Sequence, residues 1–516
     1  MTQMTSKPNA SRASGGDGNQ SRPRKSSDDL KKKPIDEVVD ILRMRPGAVT
    51  ETGIERVAKI NGLEVFKDDL NSGKRFSLAG RIILIDIDLP ASGKVEKVAL
   101  SLANSSRVHD EHSEKCDQIL LSNLLEPTLD KFSKNLEQLA RHDRLSTSET
   151  DYFQVLDSLY SDGLMRILQD ERERNGLDSI ESELHGIPSY TDEGTLGISI
   201  WYWKDQHQMA LSHSPRYRLI LGIEESSGHV YGGAPSVQQN NSWLGETLRT
   251  ISGEINWQMP ECSNLEDQST VFTLTLDPPV RVYYYDAAIL CPDEEMVKEA
   301  TNPLETTSDV SLASQRTIYN ADGLPSRVLR ISMSGIEAAE LRTIEKVKVA
   351  HPKHILPIIQ ILRQSIRIQT LLDSLFSENL LLGRNGSANE SYGEHANEID
   401  IDLLDFLNEK SMYHKQSESS SRVSLTIKTP YGKPPRISVI LPTTSGEDQR
   451  LTSFELEVDR NGSVNVLQLI ANEQRENNVE GMDLTAIKHS LAQVISVSED
   501  LGIAIMWLTS KIESSL

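Results

Sequence analysis

Three cysteines in 516 residues, Cys116, Cys262 and Cys291, are too few and too scattered for a disulfide framework, and no CxxC pair suggests a redox or zinc site. Sparse thiols of this kind fit a reducing compartment. Aromatic residues make up only 5 %, so any core must be mainly aliphatic. No stretch reaches the roughly 18 uninterrupted apolar residues that a spanning helix needs. The nearest, Ile355 to Phe376, is interrupted by Gln360, Arg363, Gln364 and Arg367. The N-terminus shows no apolar segment of a secretory signal. A GxxxxGK[ST] phosphate loop, an HExxH helix and a GxSxG elbow are all missing. These absences predict a soluble intracellular protein that is not an enzyme, with no cofactor, no metal and no membrane.

What is present begins with charge. Residues 1–33 carry eight Lys/Arg against three Asp/Glu, so this tail stands at +5 and, from a total of −22, the remainder at −27. An acidic body repels phosphate backbones, and no direct nucleic-acid contact is expected of it. The tail is rich in Ser, Gly and Asn and is predicted to be disordered. Within it, Arg22, Arg24 and Lys25, then Lys31, Lys32 and Lys33, form two basic clusters with the spacing of a bipartite nuclear import signal. Ser26 and Ser27 between them could accept phosphate and offset part of that charge.

Hydropathy patterns then divide the chain. Ile35 to Met44 and Gly53 to Leu70 read as short helices. Arg75 to Ser106 reads as a hairpin around Pro90-Ala-Ser-Gly-Lys94, where Gly93 supplies the left-handed residue of a tight turn. A Leu-rich helix from Cys116 to Ser146 and a second from Thr147 to Arg174 follow. Ser146-Thr-Ser-Glu149 matches a capping box, and Asn175-Gly176 a helix stop. The period changes to two at 195–203, 217–224, 269–276 and 280–285, which predicts strands. The polar segment 292–326 is read as mobile, with room for one short helix. Pro352 opens a long helix bearing Ile355, Ile358, Ile359, Leu362, Ile366, Leu371, Leu375 and Phe376, with Gly383 as its stop. Strands return at 422–428, 435–441, 452–459 and 463–470, and helices at 483–497 and 501–511.

Strands followed by helices thus occur three times. The pattern predicts an α+β fold of several small antiparallel sheets, each covered by helices, with a disordered tail and mobile linkers. The expected divisions are 1–34 for the tail, 35–185 for an N-terminal α+β domain, and 186–383 for a β-rich domain ending in the long helix. Residues 384–421 form a linker, and 422–516 a C-terminal block.

Four features bear on chemistry. Ile82 to Asp88, IILIDID, ends a strand in Asp86-x-Asp88, as haloacid-dehalogenase-type phosphatases present a nucleophile and an acid/base. Leu89-Pro90-Ala91 departs from the residues that follow in those enzymes, and a short turn leads straight into the next strand. Two carboxylates on the outer face of a strand is the preferred reading, with a phosphoester hydrolase as the alternative. His109, His112 and Cys116 could bind zinc but lack a fourth ligand, so a polar connector is preferred. Leu121-Ser-Asn-Leu124-Leu125 spells LxxLL and is read as a core stripe, not a receptor box. Asn397 to Glu409, NEIDIDLLDFLNE, alternates acids with apolar residues inside the linker. As a helix it aligns Ile399, Leu403, Phe406 and Leu407 on one face, a candidate docking helix.

The order and wording of RFSLAGRIILIDIDLPASGKVEKVALSLANSS (Arg75 to Ser106) and CDQILLSNLLEPTLDKFSKNLEQLARHDRLS (Cys116 to Ser146) resemble the shared domain of the Mediator complex subunit 1 family. The resemblance continues in YFQVLDSLYSDGLMRILQDE (Tyr152 to Glu171), GTLGISIWYW (Gly194 to Trp203) and FTLTLDPPVRV (Phe272 to Val282), and covers roughly residues 50 to 515. It implies a non-enzymatic scaffold and coregulator of the Mediator middle module, in the nucleus, relaying signals from gene-specific transcription factors to RNA polymerase II. The partners so implied are other Mediator subunits. The expected form is the fungal type, without the long C-terminal extension that carries receptor boxes in animal members. An intracellular adaptor unrelated to transcription is a further alternative.

Overall fold

A computed structural model describes residues 45–70, 73–91, 93–103, 111–147, 150–175, 184–192, 194–204, 216–233, 237, 242–258, 270–291, 297–299, 312–319, 325–334, 341–375, 420–428, 435–445, 448–471 and 484–515. Helix α1 (Glu51–Ile60) starts where Thr50 Oγ1 accepts the Gly53 N–H at 3.0 Å. It stops at Asn61-Gly62, because Gly62 takes φ +79°, and the chain turns into strand β1 (Glu64–Leu70). The helix expected over Gly53 to Leu70 is therefore a helix and a strand.

Strands β2 (Gly73–Ala79), β3 (Ile83–Pro90) and β4 (Lys97–Leu102) complete an antiparallel sheet in the order β1-β2-β3-β4. Gly93, at φ +79°, makes the β3–β4 turn as expected. Alternation places Phe76, Leu78, Ile83, Ile85 and Ile87 on the buried face, where each large side chain stabilises by about 1.5–3 kcal/mol. The cover is α1, α2 (Glu111–Leu125) and α3 (Asp130–Leu145), through Ile54, Val57, Leu120, Leu124, Phe132 and Leu136. The single Leu-rich helix predicted for this stretch is two helices. Pro127 has no N–H to continue the first and its ring clashes with the preceding turn.

Asp143 ties α3 to the sheet. Its buried carboxylate accepts the N–H groups of Arg81, Ile82 and Ile83 at 2.8, 2.6 and 3.0 Å. A Cβ on Gly80 would lie 2.5 Å from that carboxylate, so only glycine fits the turn.

Helix α4 (Tyr152–Ser158) continues through a π-turn (Leu159–Leu164) into α5 (Met165–Asn175). The predicted capping box does not form the start. Asp151 does, accepting the Phe153 and Gln154 N–H groups, while Ser146 Oγ accepts that of Tyr152. Gly163 in the π-turn leaves room for the Trp243 ring, whose Nε1 donates to Ser158 Oγ at 2.9 Å.

The second sheet is built from β5 (Ile187–Asp192), β6 (Thr195–Lys204) and β7 (Arg216–Glu225). A separate hairpin, β8 (Leu244–Arg249) and β9 (Ile255–Trp257), precedes the long β10 (Thr270–Tyr283) and helix α6 (Tyr284–Leu290). Next come β11 (Val297–Glu299), β12 (Leu312–Tyr319), β13 (Pro325–Ser334) and β14 (Leu341–Val349). The sheet order is β11-β14-β10-β7-β6-β5. The segment read as mobile with one short helix thus contains β11, β12 and the start of β13. These strands are set by partners, since their own sequences are polar.

Helix α7 (Ile355–Asp373) follows a 3-10 turn at Pro352–His354, with Pro357 in its first turn, where a missing N–H costs nothing. Strands β15 (Ser420–Lys428), β16 (Arg436–Ser445), β17 (Asp448–Val458) and β18 (Val464–Ala471) lead to helices α8 (Leu484–Ser498) and α9 (Leu501–Ser515). The third sheet runs β12-β13-β15-β16-β17-β18, with β13 and β15 parallel and its other neighbours antiparallel. The α+β expectation holds. The first half of α7, Ile355 to Ile366, packs in the second sheet's core, and Ile368, Leu371 and Leu372 pack in the third.

Candidate functional site

The long helix that joins two cores carries Arg363, Gln364 and Arg367, all buried. Spacings of one and four put them on one side of the helix. Arg363 donates to the Tyr202 and Leu184 carbonyls at 2.9 and 3.2 Å. Gln364 donates to the Val458 carbonyl at 2.6 Å, and Arg367 to that of Gly462 at 3.0 Å. The Arg367 guanidinium lies 4.9 Å from the Trp203 ring centre and also binds the Glu499 carboxylate. Glu499 sits in the α8–α9 turn at φ +51°. Its neighbour Asp500 caps α9 through the Ile503 N–H and accepts two bonds from Arg316 of β12, at 2.7 and 2.5 Å. Two successive acids in one turn therefore grip two arginines from distant elements. In sequence Arg367 only interrupts an apolar run, and Arg316 lies in a polar one. Their pairing needs the fold.

The first sheet leaves one face open. The register aligns Phe66, Ser77, Asp86 and Ala99 across it, with Asp68, Arg75, Asp88 and Lys97 in the next row. Asp86 accepts from Ser77 Oγ at 2.6 Å, and Asp88 takes a two-point bond from Arg75 at 2.6 and 3.0 Å. That hydrogen bond holds the Asp88 carboxyl below the usual range for an aspartate. Both carboxylates lie mid-sheet between antiparallel neighbours, so the geometry opposes the phosphatase reading, which needs a parallel strand end. Asp86→Asn with Asp88→Asn should cost only about 1 kcal/mol and leave the fold intact. Magnesium-dependent phosphatase activity lost in this variant would reverse the assignment.

The LxxLL leucines divide. Leu124 is core, Leu121 is half-buried and Leu125 is 59 % exposed, with Leu120 completing the stripe instead. Cys116 Sγ lies 3.7 Å from Thr191 Oγ1, and burial pushes its thiol pKa up. His109 and the His112 side chain fall outside the described residues. So do both basic clusters, Arg22, Arg24, Lys25, Lys31, Lys32 and Lys33, and the helix residues Ile399, Leu403, Phe406 and Leu407. No group of three potential metal ligands occurs among the described residues, and none of their helices is long and apolar enough to cross a membrane.

The third sheet also has an open face, which sequence reasoning missed. Helices α7, α8 and α9 bury the side holding Leu329, Ile331, Val423, Leu425 and Phe454. The opposite side presents Arg330 directly across from Arg422, and then a row of Ser332, Ser424, Ile440, Ser453 and Ile470. Ile440 and Ile470 are 41 % and 42 % exposed, and Leu451, two residues before Ser453, is 58 % exposed.

The described sheets are backed by helices, with the buried Arg367–Glu499 pair holding α7 to the α8–α9 turn and two sheet faces turned outward. A family model described as Med1, Mediator of RNA polymerase II transcription subunit 1, matches residues 36–377. The chain belongs to that family. It is 30 % identical over 368 residues to the Mediator of RNA polymerase II transcription subunit 1 of Schizosaccharomyces pombe, spanning 66 % of this chain and 74 % of that protein. The proteins of the same name from Candida glabrata and Saccharomyces cerevisiae are 34 % and 31 % identical over 128 and 126 residues. Those two matches span 23 % of this chain each, and 23 % and 22 % of the respective relatives.

Proposed function

We propose that this chain is a non-enzymatic scaffold and coregulator subunit of the Mediator complex in RNA polymerase II transcription. Its place is the middle module, and its action is to transmit contacts from gene-specific transcription factors to the polymerase. The observation that carries this reading is the family match over residues 36–377, which takes in the first two sheets and α7 as far as its C-terminal end. Rigid coupling of sheets through buried side chains suits a part that transmits contacts between partners.

A tagged copy should co-purify in stoichiometric amounts with other Mediator subunits and sediment within a large assembly. Recovery as a monomer without transcription proteins would overturn the proposal. Action in the nucleus follows from the same reading, with the clusters Arg22 to Lys25 and Lys31 to Lys33 as the import signal. Deleting residues 1–33 should then reduce nuclear accumulation while leaving the thermal unfolding transition in place. Undiminished import would locate the signal elsewhere.

A further inference from the structure

We propose that the β8–β9 hairpin is a docking knob, with Ile251 at its tip entering an apolar, basic-rimmed pocket on another subunit of the complex. This rests on the Mediator reading above and adds to it a contact surface and the kind of partner that surface takes.

Strands β8 and β9 form a sheet of two strands, separate from the three larger sheets. A two-stranded hairpin is marginal alone in water, so its surroundings must hold it. Its base is rooted in the second core. Trp243 and Leu244 are buried there, and Leu248, Ile255 and Trp257 pack against it. The Gln258 N–H donates to the Trp243 carbonyl at 2.9 Å, and the Trp257 and His351 rings meet edge to face with centres 5.7 Å apart. Nearer the tip, Arg249 is clamped to α5, donating to the Asp170 carboxylate at 2.6 Å.

The tip is fixed as well. The Gly253 N–H closes the turn on the Thr250 carbonyl at 2.9 Å, and the Thr250 N–H bonds the Glu254 carbonyl at 2.8 Å. Gly253, at φ +88°, supplies the left-handed residue that this turn requires. Thr250 Oγ1 and Ser252 Oγ lie 2.8 Å apart, and Arg249 Nη1 donates to the Gly253 carbonyl at 2.9 Å. The Ile251 side chain takes no part in any of these bonds. It is 110 % exposed, the highest value for a large apolar side chain among the described residues. Single exposed apolar residues are common and mean little by themselves. This one is held on a rigid projection whose geometry does not need it.

Shape and charge define the partner. A branched apolar side chain on a narrow projection fits a pocket, where it is fully desolvated, better than a flat surface. Because the tip is already ordered, little conformational freedom is lost on binding. Asp170 neutralises Arg249, so the hairpin's remaining charge is negative, from exposed Glu246 and Glu254. A pocket rimmed by Lys or Arg complements that charge, and an acidic rim would be repelled. The same charge disfavours a second copy of this chain, at net −22, and an anionic membrane surface.

Adding the full chain to Mediator purified without this subunit tests the proposal, read as the apparent Kd for incorporation. Ile251→Asp should weaken incorporation at least about tenfold, while Ile251→Leu, which keeps an apolar tip, should stay near wild type. Glu246→Lys with Glu254→Lys should slow association and reduce its dependence on salt. All three positions are exposed, so thermal unfolding of each variant should match wild type. With p-benzoylphenylalanine in place of Ile251, light should cross-link the tip to one Mediator subunit, beside its Lys or Arg residues. Incorporation of Ile251→Asp as tight as wild type would overturn this inference and leave the Mediator reading standing. Cross-links from position 251 only to a second copy of the chain would do the same. Failure of the wild type itself to join the complex would overturn both.

Discussion

Glu499→Ala should destabilise the protein by about 3–5 kcal/mol, the usual result of removing one partner from a buried ion pair. The variant leaves the Arg367 guanidinium buried against Trp203 with the Gly462 carbonyl as its remaining hydrogen-bond acceptor. Urea unfolding of the full chain measures the loss. Arg367→Met combined with Glu499→Leu should recover much of it, since an apolar pair avoids the stranded charge. A loss below about 1 kcal/mol for the single variant would mean that the pair is dispensable to the junction.

Stability should also begin to fall in mild acid, above the range in which ordinary carboxylates protonate. His142 and His351 are held neutral, with pKa values pushed from 6.5 down to about 4, first by burial and then by Arg141 for the former. His142 Nε2 accepts the Ile223 N–H at 3.3 Å, and His351 Nδ1 accepts that of Lys353 at 3.1 Å, bonds that protonation would break. Burial lowers the His354 pKa as well. Below pH 6.5 the unfolded chain gains protons at these sites and the folded chain does not, so stability falls between about pH 6.5 and pH 4. The loss approaches about 3 kcal/mol for each of His142 and His351 at the lower end. Asp117 and Asp286, whose carboxyls are raised by burial, act in the opposite sense and offset part of it. His142→Gln keeps an acceptor but removes the titration, so the slope of stability against pH should flatten. A profile flat from pH 7 to pH 4.5 in the wild type would show that these imidazoles are not the determinant.

The sequence reveals those elements whose own residues carry the decision. The β3–β4 turn was legible because Gly93 takes a backbone conformation that few residues accept. The strand pairs of the C-terminal block and the start of α7 were legible for similar local reasons. Strand β12 was not, since LASQRTIY has no apolar alternation and is ordered by pairing with β13 and by the Arg316–Asp500 bond. The break at Pro127 was overlooked because the leucine periodicity continues on both sides of it. Contact surfaces were harder still. In Arg436 to Leu441, RISVIL, Ile440 points outward while Ile437, Val439 and Leu441 point inward. Which side of a sheet its helices cover is decided by chain connections far from the strand.

The parallel pairing of β13 with β15 sets a timetable for synthesis. Eighty-five residues, 335–419, lie between these strands, so a ribosome adding about 5–20 residues per second needs roughly 4–17 s to deliver the second after the first. During that interval β13 has a free edge, and Leu329, Ile331 and Met333 await the part of their core supplied by residues 423 to 512. The nascent chain is most exposed to aggregation in this window, and translation halted before Lys428 would leave β13 without its neighbour.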